Sequence, residues 1–345
     1  MSINKRRNIF MSTIQQCRQC LNTTQNPSIR ILENGLCNVC NSFQEHYDPS
    51  YLDEEVSILK NYVRKNKADS LIALSGGKDS TAMIQDALAL GFHPTAFSFQ
   101  ARYNNLNEKR VEKIHRIARK MGLDYEVIDA IPYITKTDSA NFQAMSDFYD
   151  AAVRGEISHQ DFLDTYKEGR LHYSTKDDTV CTFVRPCQAC RKVAIKAYYG
   201  EAIKHNVSVV FVGINEWAAL TDGRYSAIRR LKPFADQPEV LIVHLPFLMR
   251  RKYSELKNKL KEMNCLSDVE ELGVETGGKC CPLANACEKI AYENLGFHLD
   301  STRLSREITV GFIDKGTALN AVKKGLRDSK DSVHKILVES GILEL

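Results

Sequence analysis

Several things are missing from this chain, and each absence narrows what it can be. No apolar run approaches the length of a membrane span, which excludes a transmembrane helix. Met1 to Phe10 carries basic residues with no apolar segment behind them, which is not the build of a secretory signal. A cytoplasmic location is therefore expected. There is no internal repeat and no low-complexity tract. Charge of neither sign dominates: a formal net charge of +4 permits an anionic partner without demanding one. Two common phosphate-binding signatures are also missing. The dinucleotide fingerprint is absent, and Lys78 is followed by Asp79 where a Walker loop requires Ser or Thr.

What is present begins with size and cysteine. The 345 residues, 43% of them hydrophobic, can build a substantial core in one to three domains. The 11 cysteines are odd in number and mostly grouped. Without an export signal, such grouping points to metal or redox chemistry before disulfides.

The stretch Ser70 to Thr81 organises the rest. Leu71 to Leu74 is a short apolar run of the kind that forms a buried parallel strand. Gly76 and Gly77 then allow a tight turn and close backbone approach to a ligand. A helix over about Thr81 to Leu90 would point its first amides back at that turn, making a phosphate-sized anion site. Leu74, Ser75, Gly76, Gly77, Lys78, Asp79 and Ser80 are the candidate nucleotide-binding residues, with Lys78 and Asp79 as candidate catalytic groups. The alternative is a plain glycine turn joining strand to helix.

Upstream, Cys17-x2-Cys20 and Cys37-x2-Cys40 form a C-x2-C-x16-C-x2-C array with the spacing of a four-thiolate zinc ribbon. Ile29 to Leu32 reads as a strand and Glu33-Asn34-Gly35 as the turn that folds one cysteine pair onto the other. The expected role is structural, because a closed thiolate site leaves no position for chemistry. A helix from Tyr51 to Lys65, capped by Ser50, follows, with Leu52, Val56, Leu59 and Val63 as its buried stripe.

From Ser70 onward strand and helix alternate. Further strands are expected at Thr95–Phe99, Tyr125–Ile128, Ser208–Val212 and Leu241–Leu245. Asn107 should cap a helix ending near Met121, with Gly122 beyond it. The pattern predicts an α/β fold, a parallel sheet with helices on both faces. Its ligand should lie beyond the strand carboxyl ends. Phe99 is a candidate for backbone contact with an adenine, against a plain core role. The expected division is a ribbon (1–48), a linker helix (49–69), a nucleotide domain (70–300) with an insertion at 130–185, and a helical tail (301–345). The tail helices, Thr317–Leu326 and Ser332–Ser340, read as packing elements.

A second cysteine group needs separate treatment. Arg185-Pro186-Cys187-Gln188-Ala189-Cys190 precedes a helix expected over Lys192–His205, whose N-terminus with Arg185, Arg191 and Lys192 would favour thiolates. Far along the chain comes Cys280-Cys281-Pro282-Leu283-Ala284. A pair plus a distant single suggests three-point ligation of an iron–sulfur cluster with one open iron. Competing readings are a redox-active pair, a zinc site using Cys187, Cys190, Cys281 and either Cys280 or Cys287, and incidental buried thiols.

Ser75-Gly76-Gly77-Lys78-Asp79-Ser80 resembles the pyrophosphate loop of the PP-loop ATP pyrophosphatases, which split ATP into AMP and pyrophosphate and adenylate a substrate oxygen. The order ribbon, loop, Pro186-Cys187-x2-Cys190 and Cys281-Pro282-Leu283-Ala284 is similar to the tRNA 2-thiolation enzymes of that family. The resemblance implies ATP and Mg²⁺ at the loop, Zn²⁺ in the ribbon, and a [4Fe-4S] cluster on Cys187, Cys190 and Cys281, with Cys281 preferred to Cys280 because Pro282 follows it. It also implies tRNA and a sulfur donor or carrier protein as partners, and is compatible with a homodimer. Two departures stand out. Where the family often has Gly-His-x-x-Asp-Asp, this chain has Gly213-Ile214-Asn215-Glu216-Trp217-Ala218, which keeps Gly213 near the nucleotide and leaves Glu216 as the one acid to stand in. A C-terminal second ribbon is also missing. The first ribbon, with Gly35-Leu36-Cys37-Asn38-Val39-Cys40, is likewise similar to N-acetyl sugar amidotransferases, which use ammonia and have no need of Cys187 and Cys190. A third reading is a non-catalytic zinc-ribbon nucleic-acid binder using Arg229-Arg230, Lys232 and Arg250-Arg251-Lys252 against phosphates.

Overall fold

The computed structural model describes residues 13–64, 68–101, 106–174, 179–269 and 272–344. Met1 to Phe10 and Lys65 lie outside them.

Eight strands are present among the described residues: β1 Ser70–Ala73, β2 Pro94–Gln100, β3 Tyr125–Asp129, β4 Val209–Val212, β5 Ala219–Thr221, β6 Arg224–Ser226, β7 Ile228–Leu231 and β8 Val240–His244. Six of them form one sheet in the order β3-β2-β1-β4-β8-β7. Neighbours pair in parallel from β3 through β8. β7 is antiparallel to β8 and closes the edge, and β5–β6 form a separate hairpin. The mostly parallel sheet and its alternating helices are the predicted fold class. Parallel strands need crossover connections, and the apolar β1, β4 and β8 are buried as covered strands must be.

The helices are α1 Asn38–His46, α2 Pro49–Lys60, α3 Lys78–Ala89, α4 Glu108–Lys120, α5 Lys136–Val153, α6 His159–Ser174, α7 Pro186–Lys204, α8 Leu245–Leu248, α9 Leu256–Glu262, α10 Gly277–Cys280, α11 Pro282–Leu295, α12 Ser301–Thr309, α13 Lys315–Gly325 and α14 Val333–Glu339. None of those described is long and apolar enough to cross a membrane. Asn107 caps α4 as expected, accepting from the Arg110 amide, and Gly122 follows at φ +69°. Two starts differ from the sequence expectation. α2 is capped by Asp48, which accepts from the Ser50 amide at 2.9 Å, because Pro49 suits the first helical position, where no amide hydrogen is needed. α7 begins at Pro186 for the same reason, so Cys187 and Cys190 sit inside the helix rather than before it.

The main core lies between the sheet and α2, α3, α4 and α12, and includes the four ribbon cysteines. Residues 130–185 build a second core: Phe142, Met145, Tyr149, Phe162 and Tyr166 meet Leu283, Ala291 and Leu295 of α11 and Val333 and Leu337 of α14. The ribbon docks on the C-terminal helices. The Leu21 amide donates to Ser305 Oγ at 3.2 Å, and Lys315 Nζ donates to the Cys17 carbonyl at 2.9 Å. Its expected strand is reduced to one bridge, Ile31 to Cys37, while Gly35, at φ +77°, makes the turn.

Candidate active site

The sequence order of the sheet reverses between β1 and β4, the switch point where an open α/β sheet leaves a crevice at its strand carboxyl ends. The Ser75–Ser80 turn lies there. α3 starts at Lys78, so Lys78, Asp79 and Ser80 form its first turn. Gly77 caps it without a side-chain hydrogen bond, which leaves the first amides for a ligand. The turn is braced from within: the Ser75 amide donates to Ser80 Oγ at 3.1 Å, the two hydroxyls are 3.1 Å apart, and Ser80 Oγ donates to the Gly77 carbonyl at 3.2 Å. Leu74 is tied to the sheet, its amide donating to the Phe97 carbonyl at 2.7 Å and its carbonyl accepting from Ser98 Oγ at 2.7 Å.

Two glycines are required by geometry. Gly76 has φ +72°, and a Cβ there would meet Ile114 at 3.0 Å and Lys113 at 3.1 Å. A Cβ on Gly213 would lie 3.2 Å from both the nitrogen and Cα of Ser80, so bare backbone at the end of β4 lets α3 approach. Lys78 Nζ is 2.7 Å from Asp79 Oδ2. Arg251 donates to the Asp79 carbonyl at 3.0 Å and pairs with buried Asp86, which also pairs with Lys259.

The loop opens on a cavity of about 820 Å³. Nine Lys and Arg side chains line it against five Asp and Glu, a strongly anion-seeking wall. Three buried oxygens without a hydrogen-bond partner also face this cavity's lining: Asp79 Oδ1, Asn215 Oδ1 and Glu216 Oε2. Burial opposes ionisation of Glu216, yet Arg306 and Arg191 hold its carboxyl below the usual range.

An apolar pocket of about 300 Å³ adjoins it. Cys187, Cys190 and Cys281 all line this pocket, together with Phe99, Tyr198, Ile214 and Leu283. Cys187 sits in the first turn of α7 and Cys281 is the cap residue of α11, so two helix N-termini converge on the thiols. Burial pushes the Cys187 thiol up and the Cys281 thiol up to about 12, the latter against the Ala284 and Leu283 amides. Cys287 is fully buried beside Tyr149 and does not line the pocket. The side chain of Cys280 lies outside the described residues. Cys187, Arg191, Arg229 and His244 line both cavities. His244 is the floor between them: its Nδ1 donates to the Glu216 carbonyl at 2.7 Å, and burial pushes its pKa down to about 3, so the ring is neutral.

Cys17, Cys20, Cys37 and Cys40 form a separate, fully buried group whose sulfurs lie within 4.8 Å of one another. Among the described residues it is the one cysteine group that could hold a metal ion at that spacing.

Phe99 contributes its ring to the apolar pocket and meets Tyr198 edge-on. The basic residues read as a phosphate-binding surface are largely occupied. Arg230 pairs with Glu239, Arg250 with Asp53 and Arg251 with Asp86, and Arg229 turns inward to the cavities. Arg230 and Arg250 thus form surface ion pairs, and Arg251 a buried one. Arg303, Arg306, Glu307 and His244 line the cavity without any sequence expectation, and Arg185, expected only to favour thiolates, joins them. α12 supplies three of them, and its i, i+3, i+4 spacing of Arg303, Arg306 and Glu307 was the available signal.

No known family model matches the chain, and no curated protein matches it. Among solved structures, it is similar to NMN synthetase from Francisella tularensis, at 14% identity and TM-score 0.33, over 83% of this chain and 98% of that one. It is also similar to the U34-tRNA thiolase NcsA from Methanococcus maripaludis with its [4Fe-4S] cluster, at 13% identity and TM-score 0.36, over 96% of this chain and 99% of that one.

Proposed function

We propose that this chain is a PP-loop ATP pyrophosphatase that adenylates a substrate carbonyl, in a tRNA base, and exchanges its oxygen for sulfur with a [4Fe-4S] cluster on Cys187, Cys190 and Cys281. The observation that carries this reading is the shared wall: the pocket lined by those three cysteines and the cavity over the Ser75–Ser80 loop have Cys187, Arg191, Arg229 and His244 in common. An activated carbonyl at the loop would face the three thiols without leaving the site. The amidotransferase reading uses the same activation but gives the apolar three-thiol pocket nothing to do.

The residues fit the groups this chemistry needs. Three thiols at two helix N-termini in an apolar pocket suit a soft cluster. The orphaned oxygens of Asp79, Asn215 and Glu216 suit Mg²⁺, a hard cation that takes oxygen ligands. In the ribbon, the Cys17–Cys40 and Cys20–Cys37 sulfurs are 3.8 and 3.7 Å apart, and a tetrahedron of sulfurs about 2.3 Å from zinc has edges of about 3.8 Å. The Cys37 amide donates to Cys17 Sγ at 3.2 Å, and Thr309 Oγ1 lies 3.1 Å from Cys40 Sγ, outer contacts that orient ligands.

The chain's own groups then act as follows. The free amides of α3 and Lys78 stabilise charge growing on the departing pyrophosphate as the substrate oxygen attacks the α-phosphorus. Arg251, held by Asp86, keeps the Asp79 carbonyl and the first turn of α3 in place. The apolar lining around Phe99, Tyr198 and Ile214 excludes water that would hydrolyse the adenylate. Cys187, Cys190 and Cys281 would hold a cluster whose open iron would present externally supplied hydrosulfide as the sulfur nucleophile.

The test is anaerobic purification followed by incubation with ATP, sulfide and tRNA. A brown protein, AMP with pyrophosphate, and sulfur in the RNA are expected, and Cys187→Ala should lose the colour. Lys78→Ala should lower AMP formation by about 10²–10³-fold. ADP with phosphate as the sole products would refute ATP cleavage between the α and β phosphorus atoms. A colourless zinc-only protein that consumes ammonia would favour the amidotransferase.

A further inference from the structure

The cavity holds more positive charge than its own acids answer. Asp300 is met by Arg185 at 2.7 Å and Arg303 at 3.1 Å. Glu307 takes Arg303 at 2.7 Å, and Asp79 takes Lys78. Among the other basic groups, three guanidiniums gather around one carboxylate, Glu216. Arg306 is 3.3 Å and Arg191 3.8 Å from Glu216 Oε1. Arg229 donates to a neutral acceptor, the Ala218 carbonyl at 2.8 Å, and feels both other arginines. Burial first, and then the charge of Arg191 and Arg306, pushes its pKa down. Half-buried charge gathered around a single counter-charge is costly unless an anion joins it.

Position separates this cluster from the loop. Arg191 and Arg229 line both cavities, whereas none of Ser75 to Asp79 lines the three-cysteine pocket. The cluster therefore lies where a second substrate must sit, between nucleotide and thiols. Trp217 lies under Arg306, with the guanidinium 5.4 Å from the ring centre, and Tyr173 Oη accepts from Arg191 at 3.4 Å. Planar forks that present paired donors match phosphate oxygens.

We propose that Arg191, Arg229 and Arg306 form a second anion subsite, distinct from the loop, that anchors a phosphoryl group carried by the carbonyl substrate. The inference rests on the ATP-dependent reading above, because it assigns the loop to the nucleotide. The substrate is then a phosphorylated molecule, whether a small one or an RNA.

Calorimetric titration of inorganic pyrophosphate into protein already saturated with α,β-methylene-ATP tests it. One further equivalent should bind, and Arg229→Gln should weaken it by about tenfold or more while leaving the affinity for the nucleotide analogue within about twofold, with Arg229→Lys intermediate. Should Arg229→Gln fail to fold, Arg191→Gln should show the same weakening of pyrophosphate. Displacement by a nucleoside diphosphate or by a single-stranded oligoribonucleotide, either of which supports the subsite, identifies the source of the phosphate. No pyrophosphate binding once the analogue is bound would mean that the cluster holds the nucleotide's own α-phosphate, and would overturn the proposal, as would wild-type affinity in Arg229→Gln. If the analogue itself fails to bind, the ATP-dependent reading falls. Titration into the free protein still decides the subsite: two pyrophosphate sites in the wild type and one in Arg229→Gln support it, and one in both overturns it.

Discussion

Asp300→Asn removes one charge from the point where the two cysteine-bearing segments are tied together. Asp300 is buried, and it accepts from Arg185 at 2.7 Å, from Arg303 at 3.1 Å and from the Gly277 amide at 2.6 Å. Arg185 caps the helix that carries Cys187 and Cys190, and Gly277 opens the short turn leading to Cys281. Breaking a buried pair costs about 3–5 kcal/mol. The lower end applies, about 3 kcal/mol, because Arg303 keeps Glu307 and the Arg185 side chain is 21% exposed. At about 2.1 cal/mol/K of unfolding entropy per residue over 345 residues, that is a fall in Tm of about 4 °C. The pH dependence has a definite sign. Burial opposes ionisation of Asp300, but Arg303 and Arg185 hold its carboxyl well below the usual carboxylate range. Its contribution is therefore fully present above the unfolded pKa of about 3.9 and is lost as pH falls through the folded value. The stability gap between wild type and Asp300→Asn should be constant from about pH 5 to 7 and shrink below about pH 4. Thermal unfolding at each pH, with iron content per chain after anaerobic reconstitution, checks both halves. An unchanged Tm, or full iron loading in the variant, would refute the clamp.

Two further outcomes follow from local geometry. Gly213→Ala places a Cβ 3.2 Å from two backbone atoms of Ser80, and overpacking of this kind costs about 1–3 kcal/mol; the affinity for α,β-methylene-ATP should fall by about tenfold, measured by calorimetry, with the ribbon metal retained. Cys37→Ser should remove the ribbon metal, seen as a loss of about one zinc per chain by elemental analysis. It should also weaken nucleotide binding, because Ser305 and Thr309 of α12 hold the ribbon while Arg303 and Arg306 of the same helix line the cavity.

The elements most readable from sequence were those with a local cause. Apolar runs bounded by turns gave the parallel strands, Asn107 gave a helix start, and matched cysteine pairs gave the ribbon. The two helices that start at proline begin two and six residues earlier than expected, because Pro49 and Pro186 take the first helical position. The edge strand β7 and the hairpin β5–β6 are short and leave too few residues for a period to register. The cavity wall was the least legible part. Arg185, Arg229 and Arg306 come from α7's cap, an edge strand and a C-terminal helix, and although α12 carries its own i, i+3, i+4 set, no spacing along the chain links that set to the other two.

That dispersal bears on how the site works. The loop, the ribbon and the three thiols each had a local signature, and each could have served a separate purpose. What unites them is a set of side chains without any such signature. His244 ends β8, the strand beside β4, and its ring donates to the carbonyl of Glu216, the residue whose other contacts are Arg191 and Arg306. A buried neutral imidazole there adds no charge to the floor between the two cavities, so the positive charge that both share comes from Arg191 and Arg229. Glu216 is consequently fixed from three sides, by Arg306, Arg191 and its own carbonyl's bond to His244, with one carboxylate oxygen left over. Its neighbours, Arg306 and Arg191 on one oxygen and His244 on the backbone carbonyl, therefore determine where its free oxygen lies.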